Sequence, residues 1–303
     1  MTLPPLPIQP AGTPWPTGDW PTGDLPARAA ARVGAALDHA FAAEPPAELG
    51  ETHAVVVVHK GRLVAERYAE GSGRDATRHS WSMAKSITHA LAGLAAKDGR
   101  LDIAAPAKVP EWASAGDPRG AITLDQLLRM SSGLAFTEDY DRDHPSDVIE
   151  MLFGAGKGDV AAFAAAFPLA HDPGSFFAYS SGTTNIVSRA ISGAIGARGP
   201  AFEAFMRARL FAPLGMRSPA PKFDDAGTFI GSSFCFATPR DFARFGLLYL
   251  RGGVWEGERL LPEGWVDYGR TPTFQQPGAE ATGRYGAHWW LDLAGPGSFS
   301  ANG

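Results

Sequence analysis

The sequence of 303 residues holds one cysteine, Cys235, so no internal disulfide framework is available. A lone cysteine of this kind reads as core filler rather than as a nucleophile. Charged residues make up only 19% of the chain and the net charge is −5, which argues against a nucleic-acid binder. The first residues, Met1-Thr2-Leu3-Pro4-Pro5, begin neither a basic nor a long apolar stretch, so they do not read as a signal peptide. The most apolar run, 160–169, is too short to span a bilayer and contains Pro168. These absences point to a cytoplasmic protein with no membrane partner. No G-x-S-x-G elbow, no H-E-x-x-H and no glycine-rich phosphate loop occurs. The eight histidines show no metal-ligand spacing, so neither a metal nor any other cofactor is expected.

Lysine is also scarce: six of the 27 basic residues are lysine, and only Lys85 follows a serine by three positions. The segment is Ser82-Met83-Ala84-Lys85. On a helix, positions three apart share a face, so the hydroxyl and the amine would meet. Arginine cannot surrender its proton in a protein, whereas a desolvated lysine can and then acts as a base. A serine at a helix start also gains from free backbone N–H groups and the helix dipole. The plainer alternative is that Ser82 merely caps the helix and Lys85 reaches solvent.

Along the chain, residues 1–26 are proline-rich and contain Trp15-Pro16-Thr17-Gly18-Asp19 followed by Trp20-Pro21-Thr22-Gly23-Asp24. Such a segment is either an extended arm packed on the body or a free linker. Helical period runs from Ala27 to Phe41. The run 53–59 and the run 63–68 read as a hairpin joined by Lys60-Gly61-Arg62. The Ser82 helix is apolar around most of its circumference and therefore buried. Further helices are expected at Leu124–Met130, Ser146–Phe153, Asp159–Phe167, Thr184–Ile195, Ala201–Leu210 and Pro239–Leu250, and a strand at Tyr285–Leu291. Sheet signals thus lie at both ends with a helical block between. The expected class is α+β: a sheet domain of 27–81 and 223–303, a mainly helical domain of 82–222, the 1–26 arm, and a cleft between lobes.

Four further segments keep company with Ser82 and Lys85: Leu127-Leu128-Arg129-Met130-Ser131-Ser132-Gly133-Leu134, Asp172-Pro173-Gly174-Ser175-Phe176-Phe177-Ala178-Tyr179-Ser180-Ser181, Phe211-Ala212-Pro213-Leu214-Gly215-Met216, and Thr238 to Gly246. In order and spacing, from about residue 50 onward, the chain resembles the serine β-lactamase-like superfamily. The likeness is nearest to class C β-lactamases, family VIII carboxylesterases and 6-aminohexanoate-dimer hydrolase. It implies a β-lactamase/transpeptidase-like fold, an antiparallel sheet flanked by helices plus a helical lobe.

The resemblance further implies Ser82 as the acylated nucleophile, Lys85 as its proton acceptor and Tyr179 as proton relay to the leaving group. It implies a small ester or amide as substrate and no cofactor. A tyrosine serves as acid or base when a cation lowers its pKa, and Lys85 would be that cation. Ser181 stands where the family has asparagine, which favours the esterase and amidase branch over a true β-lactamase. The aromatic residues Trp81, Phe136, Tyr140, Phe176 and Phe177 are candidates for the cleft wall. A β-lactamase or D-alanyl peptidase is the rival reading, and a non-catalytic binding relative is a rival of another class.

The ending 298–303 resembles the opening of the strand that carries the family's third motif. The second oxyanion donor is then Ala301 or a residue just beyond Gly303. On this reading the closing strand and C-terminal helix are missing, so the fragment alone would be poorly soluble or inactive. His89 reads as a packing residue, and His171 with Asp172 as a solvated loop.

Overall fold

The computed structural model describes residues 3–44, 47, 49–140, 146–274 and 284–303. Helix α1 (Ala27–Ala40) leads into a hairpin of β1 (Ala54–His59) and β2 (Arg62–Tyr68). His59 pairs with Arg62, so the connection is two residues, Lys60 and Gly61, both left-handed at φ 52° and 77°. The sequence expectation of three is therefore corrected: Arg62 belongs to β2. A two-residue turn with positive φ matches the natural twist of the paired strands. The arm lies on the outer edge of β2, where Gly23 N donates to Leu63 O and Leu63 N donates to Pro21 O. Of the two readings of this segment, the packed arm is the one observed over residues 3–26.

A 3-10 turn, Trp81–Met83, runs directly into α2 (Ala84–Lys97). Every residue of α2 from Ala84 to Ala95 is buried, as its nearly continuous apolar surface predicts. Five helices follow: α3 (Leu124–Leu128), α4 (Asp147–Phe153), α5 (Val160–Ala165), α6 (Ser181–Ile195) and α7 (Pro200–Met206). Helix α3 starts at a capping box of Thr123 and Gln126. It stops short of the expected Met130, because that buried residue turns left-handed at φ 57°.

Helix α6 begins three residues before its expected start. The Ser180 hydroxyl accepts from Thr183 N and caps it, which the poor helix formers Ser181 to Thr183 had hidden. It ends at Gly196, left-handed at φ 75°. Helix α7 continues into a π-helical turn, Arg207–Phe211.

Strands then return as short antiparallel ladders. β3 (Ala220–Pro221) pairs with β4 (Cys235–Phe236), and helix α8 (Pro239–Leu250) follows under a Thr238 cap. β5 (Val254–Trp255) pairs with β6 (Glu258–Arg259), and α9 (Trp265–Gly269) follows. Last come β7 (Arg284–Tyr285), β8 (Trp290–Leu291) and β9 (Phe299–Ser300) in one three-stranded sheet. The single strand expected over Tyr285–Leu291 is thus two strands of a hairpin. Its turn is at His288, held left-handed at φ 56° and buried beneath α2.

Candidate active site

The turn that carries Ser82 is tied to residues 232–237. Ser80 Oγ donates to Ser233 O at 3.0 Å and accepts from Cys235 N at 3.0 Å, while Arg78 and Ala237 form an antiparallel bridge. Trp81 sits left-handed at φ 39°, a conformation costing about 1–2 kcal/mol for a residue with a side chain. Its ring, half exposed, stacks on His79 at 4.0 Å. Ser82 itself is half-buried, at the start of the buried helix.

Lys85 is 1% exposed. Its Nζ stands 2.8 Å from Ser82 Oγ, 2.9 Å from Ser181 Oγ and 3.0 Å from Ser232 O. Solvent does not reach it, so the reading in which the amine snorkels outward is excluded. Burial lowers its pKa from the usual lysine value to about 8, against the opposing pull of the Glu138 carboxylate. The lysine also lies over the ring of Tyr179, 4.7 Å from its centroid.

Tyr179 is delivered by the loop 168–180, which is seated on the turn Met130–Leu134. Ala178 N donates to Met130 O, Gly174 N to Ser131 O, and Ala170 N to Gly133 O. A β-carbon on Gly133 would stand 2.2 Å from His171 O, so only glycine permits this seating. The Tyr179 phenol hydrogen-bonds with the Ser82 side chain and with Trp290, and its ring packs on Tyr285 and Trp290. The expectation that Lys85 lowers the Tyr179 pKa is corrected: burial pushes it up, with the Glu138 charge adding to the rise. The phenol therefore stays protonated and can donate a proton or a hydrogen bond, not serve as a standing phenolate.

Ser181, at the first turn of α6, reaches Lys85 as described and also donates from Oγ to Glu138 Oε1 at 2.9 Å. Its backbone N–H donates to Glu138 as well, and Tyr140 donates its hydroxyl to the same carboxylate at 3.0 Å. Ala301 is half-buried just after β9. It lines a cavity of about 440 Å³ with Met83, Ile87 and Trp289. Gly303 lies against the Ser82 amide, so close that a β-carbon on it would stand 2.6 Å from Ser82 N.

Of the aromatic candidates, Phe136 belongs to the core against Phe167. Phe176 stacks on His171, Phe177 packs on Tyr285, and Trp81 and Tyr140 remain exposed. Cys235 is fully buried and its thiol is pushed up to about 12. His89 packs among Tyr249, Trp265 and Tyr268, with Nδ1 2.7 Å from Tyr249 Oη. Among the described residues, no group of three or more histidine, cysteine or acidic side chains could hold a metal ion. None of the described helices is long and apolar enough to cross a membrane.

Sequence reasoning missed Glu138, Ser232 and His288. His288 Nδ1–H donates to Lys85 O at 3.0 Å, and its Nε2 accepts from Thr184 Oγ1 at 3.2 Å. Burial and the Lys85 charge hold its pKa near about 3, so the ring is a neutral brace. Glu138 lies in Thr137-Glu138-Asp139-Tyr140, where two adjacent acids carry no spacing signal that singles out either.

Around the Ser82 hydroxyl the fold thus gathers a buried amine, Lys85, and a buried phenol, Tyr179. The family model described as Beta-lactamase matches residues 47–303, and the chain belongs to that family. It is 29% identical over 262 residues to the 6-aminohexanoate-dimer hydrolase of Paenarthrobacter ureafaciens, covering 79% of this chain and 64% of that protein. The chain thus spans less than two thirds of that relative's length.

Among solved structures, a Bacillus anthracis protein assigned as a 6-aminohexanoate-dimer hydrolase superposes with a TM-score of 0.76 at 24% identity, over 94% of this chain and 76% of that one. A D-stereospecific amidohydrolase from Streptomyces sp. superposes with a TM-score of 0.53 at 20% identity, over 72% and 71%. At these identities the superpositions establish the fold, which is β-lactamase/transpeptidase-like, with mixed helices and antiparallel strands as expected.

Proposed function

We propose that the protein is a serine hydrolase that cleaves a small ester or amide through an acyl-enzyme on Ser82. The observation that carries this reading is the buried Lys85 amine, 2.8 Å from Ser82 Oγ, with its pKa lowered to about 8. Near neutral pH a useful fraction of that amine is unprotonated and able to take the Ser82 proton as the hydroxyl attacks a carbonyl. The carbonyl oxygen becomes an oxyanion beside the Ser82 N–H at the head of α2. Tyr179, protonated and hydrogen-bonded with Ser82, passes its proton to the leaving alcohol or amine and regains one from Lys85. Water then attacks the acyl-enzyme by the same groups in reverse and frees Ser82.

The matched relative named for 6-aminohexanoate-dimer cleavage supports a linear amide as one substrate class. Ser181 in place of an asparagine supports the esterase and amidase branch over the β-lactamase reading. Its hydroxyl proton is engaged by Glu138, and a serine has no amide group with which to clamp a β-lactam substrate.

The test is turnover of p-nitrophenyl butyrate, nitrocefin and a linear 6-aminohexanoate dimer by the protein and by Ser82→Ala. The ester or the linear amide is expected to turn over, with Ser82→Ala at background. Because Lys85 must be neutral to act, kcat/KM should rise with pH through an apparent pKa near about 8. Equal rates for Ser82→Ala would overturn the hydrolase reading. A rising limb only near the ~10.4 of free lysine would overturn the role of Lys85.

A further inference from the structure

The three neighbours of Lys85 Nζ differ in what they can exchange with it. Ser232 offers a backbone carbonyl at 3.0 Å, which only accepts. Ser82 and Ser181 offer hydroxyls at 2.8 and 2.9 Å, and a hydroxyl can either donate or accept. A neutral lysine has two N–H groups and one lone pair. If Ser181 donated to that lone pair, the lone pair would be closed to Ser82 and the base would be lost.

Glu138 decides between the two arrangements. Its carboxylate offers only acceptors, and it takes both donors of Ser181: the backbone N–H and, at 2.9 Å, the hydroxyl. Ser181 Oγ therefore has only lone pairs to present to Lys85. With Ser232 O and Ser181 Oγ each receiving one N–H, the remaining lone pair of the neutral amine faces Ser82 Oγ. Tyr140 donates its hydroxyl to Glu138 Oε1 from the solvent side at 3.0 Å and helps hold the carboxylate in this register.

We propose that Glu138 is a positioning residue that, by fixing Ser181 as a pure acceptor, aims the lone pair of Lys85 at Ser82. Resting on the serine-hydrolase reading, the proposal adds a residue which neither motif nor spacing had marked. Glu138 never touches the reacting atoms; it acts through Ser181. The other titratable groups facing Lys85 are Tyr179, under its amine, and His288, bound to its carbonyl. Neither has a contact that could set the direction of the Ser181 hydroxyl.

The experiment compares Glu138→Gln, Ser181→Ala and the double variant with the parent protein on p-nitrophenyl butyrate across pH. Glutamine keeps the shape but replaces one acceptor with an NH2, so Ser181 loses an acceptor for its N–H or for its hydroxyl. Glu138→Gln should lower kcat by about tenfold or more, the scale of losing an oriented general base, with KM within about threefold. The rising limb of the pH profile should move to lower pH, because the carboxylate that favours the ammonium form is gone. In the Ser181→Ala background the same substitution should change kcat by less than about twofold, since the two residues act as one unit.

An unchanged kcat for Glu138→Gln, or losses that multiply independently in the double variant, would overturn the proposal. Should Glu138→Gln not fold, Ser181→Ala carries the test: a comparable fall in kcat is expected, and an unchanged kcat overturns it. Failure of the underlying reading is separate, because it shows as undiminished turnover by Ser82→Ala in the same assay.

Discussion

Gly303 lies against the backbone of the turn that carries Ser82: a β-carbon there would stand 2.2 Å from Ser80 O, 2.6 Å from Ser82 N and 2.7 Å from Met83 N. All three atoms are main chain and cannot rotate aside. Glycine is the one residue that allows β9 to be followed by so close an approach.

Gly303→Val should therefore push this segment off the Ser82 amide and disturb the place where an oxyanion would sit. A fall in kcat/KM of about a hundredfold is expected, the scale of losing one oxyanion donor. The thermal midpoint, read alongside, separates a local effect at the site from a loss of folding. Steady-state kinetics together with a thermal melt check both halves.

His288 and His89 should make the protein acid-sensitive. Both rings are buried, with pKa values lowered to about 3 for His288 and well below the ordinary value for His89. Unfolded histidine takes up a proton near pH 6.5. Between about pH 6.5 and 3 the unfolded chain binds more protons than the folded one, so stability falls as pH falls. The slope is roughly 1.4 kcal/mol per pH unit for each histidine. Urea unfolding at pH 7 and pH 5 measures it, and His288→Asn should show a shallower dependence than the parent. An equal slope in the variant would remove His288 from the account.

Arg244 should anchor the proline-rich arm. The buried guanidinium donates to Pro16 O and Gly18 O, each at 2.7 Å, and to Asp241 at 2.8 Å, and it lies 5.5 Å from the Trp20 ring centroid. Arg244→Ala removes the cationic partner of the nearly inaccessible Asp241 carboxylate, leaving it only the Ser218 N–H and hydroxyl on Oδ2, and about 3 kcal/mol of destabilisation is expected. Urea unfolding reads that loss, and limited proteolysis should show new cleavage within residues 10–24. Arg244→Lys should not restore stability, because an ammonium cannot serve three acceptors spread along a planar fork.

Much of the site was legible because its pieces are local motifs. Ser82 and Lys85 are three apart on one helical turn, and Ser181 follows Tyr179 by two residues. The buried character of α2 was equally legible, since apolar residues occupy almost its whole surface. Boundaries were less so. Nothing in Thr-Ser-Gly-type segments such as 180–184 shows whether a hydroxyl caps a helix or joins it, and the strand expected over Tyr285–Leu291 folds back because His288 turns left-handed.

Glu138, Ser232 and His288 were silent in the sequence for a different reason. Each reaches the site from a separate segment, 43 residues before Ser181 in the case of Glu138 and 147 residues after Lys85 in the case of Ser232. Their roles depend on which atom faces which. That information exists only once the segments are packed.

The sequence by itself determined that a serine and a lysine share a helical face, and that this helix is apolar enough to be buried. Tertiary structure decided what the pairing means. Packing removes water from Lys85 and so lowers its pKa, and burial raises that of Tyr179 where its partners alone suggested a fall. It also sets Glu138 behind Ser181, fixing the direction of a hydrogen bond that no spacing of residues can encode.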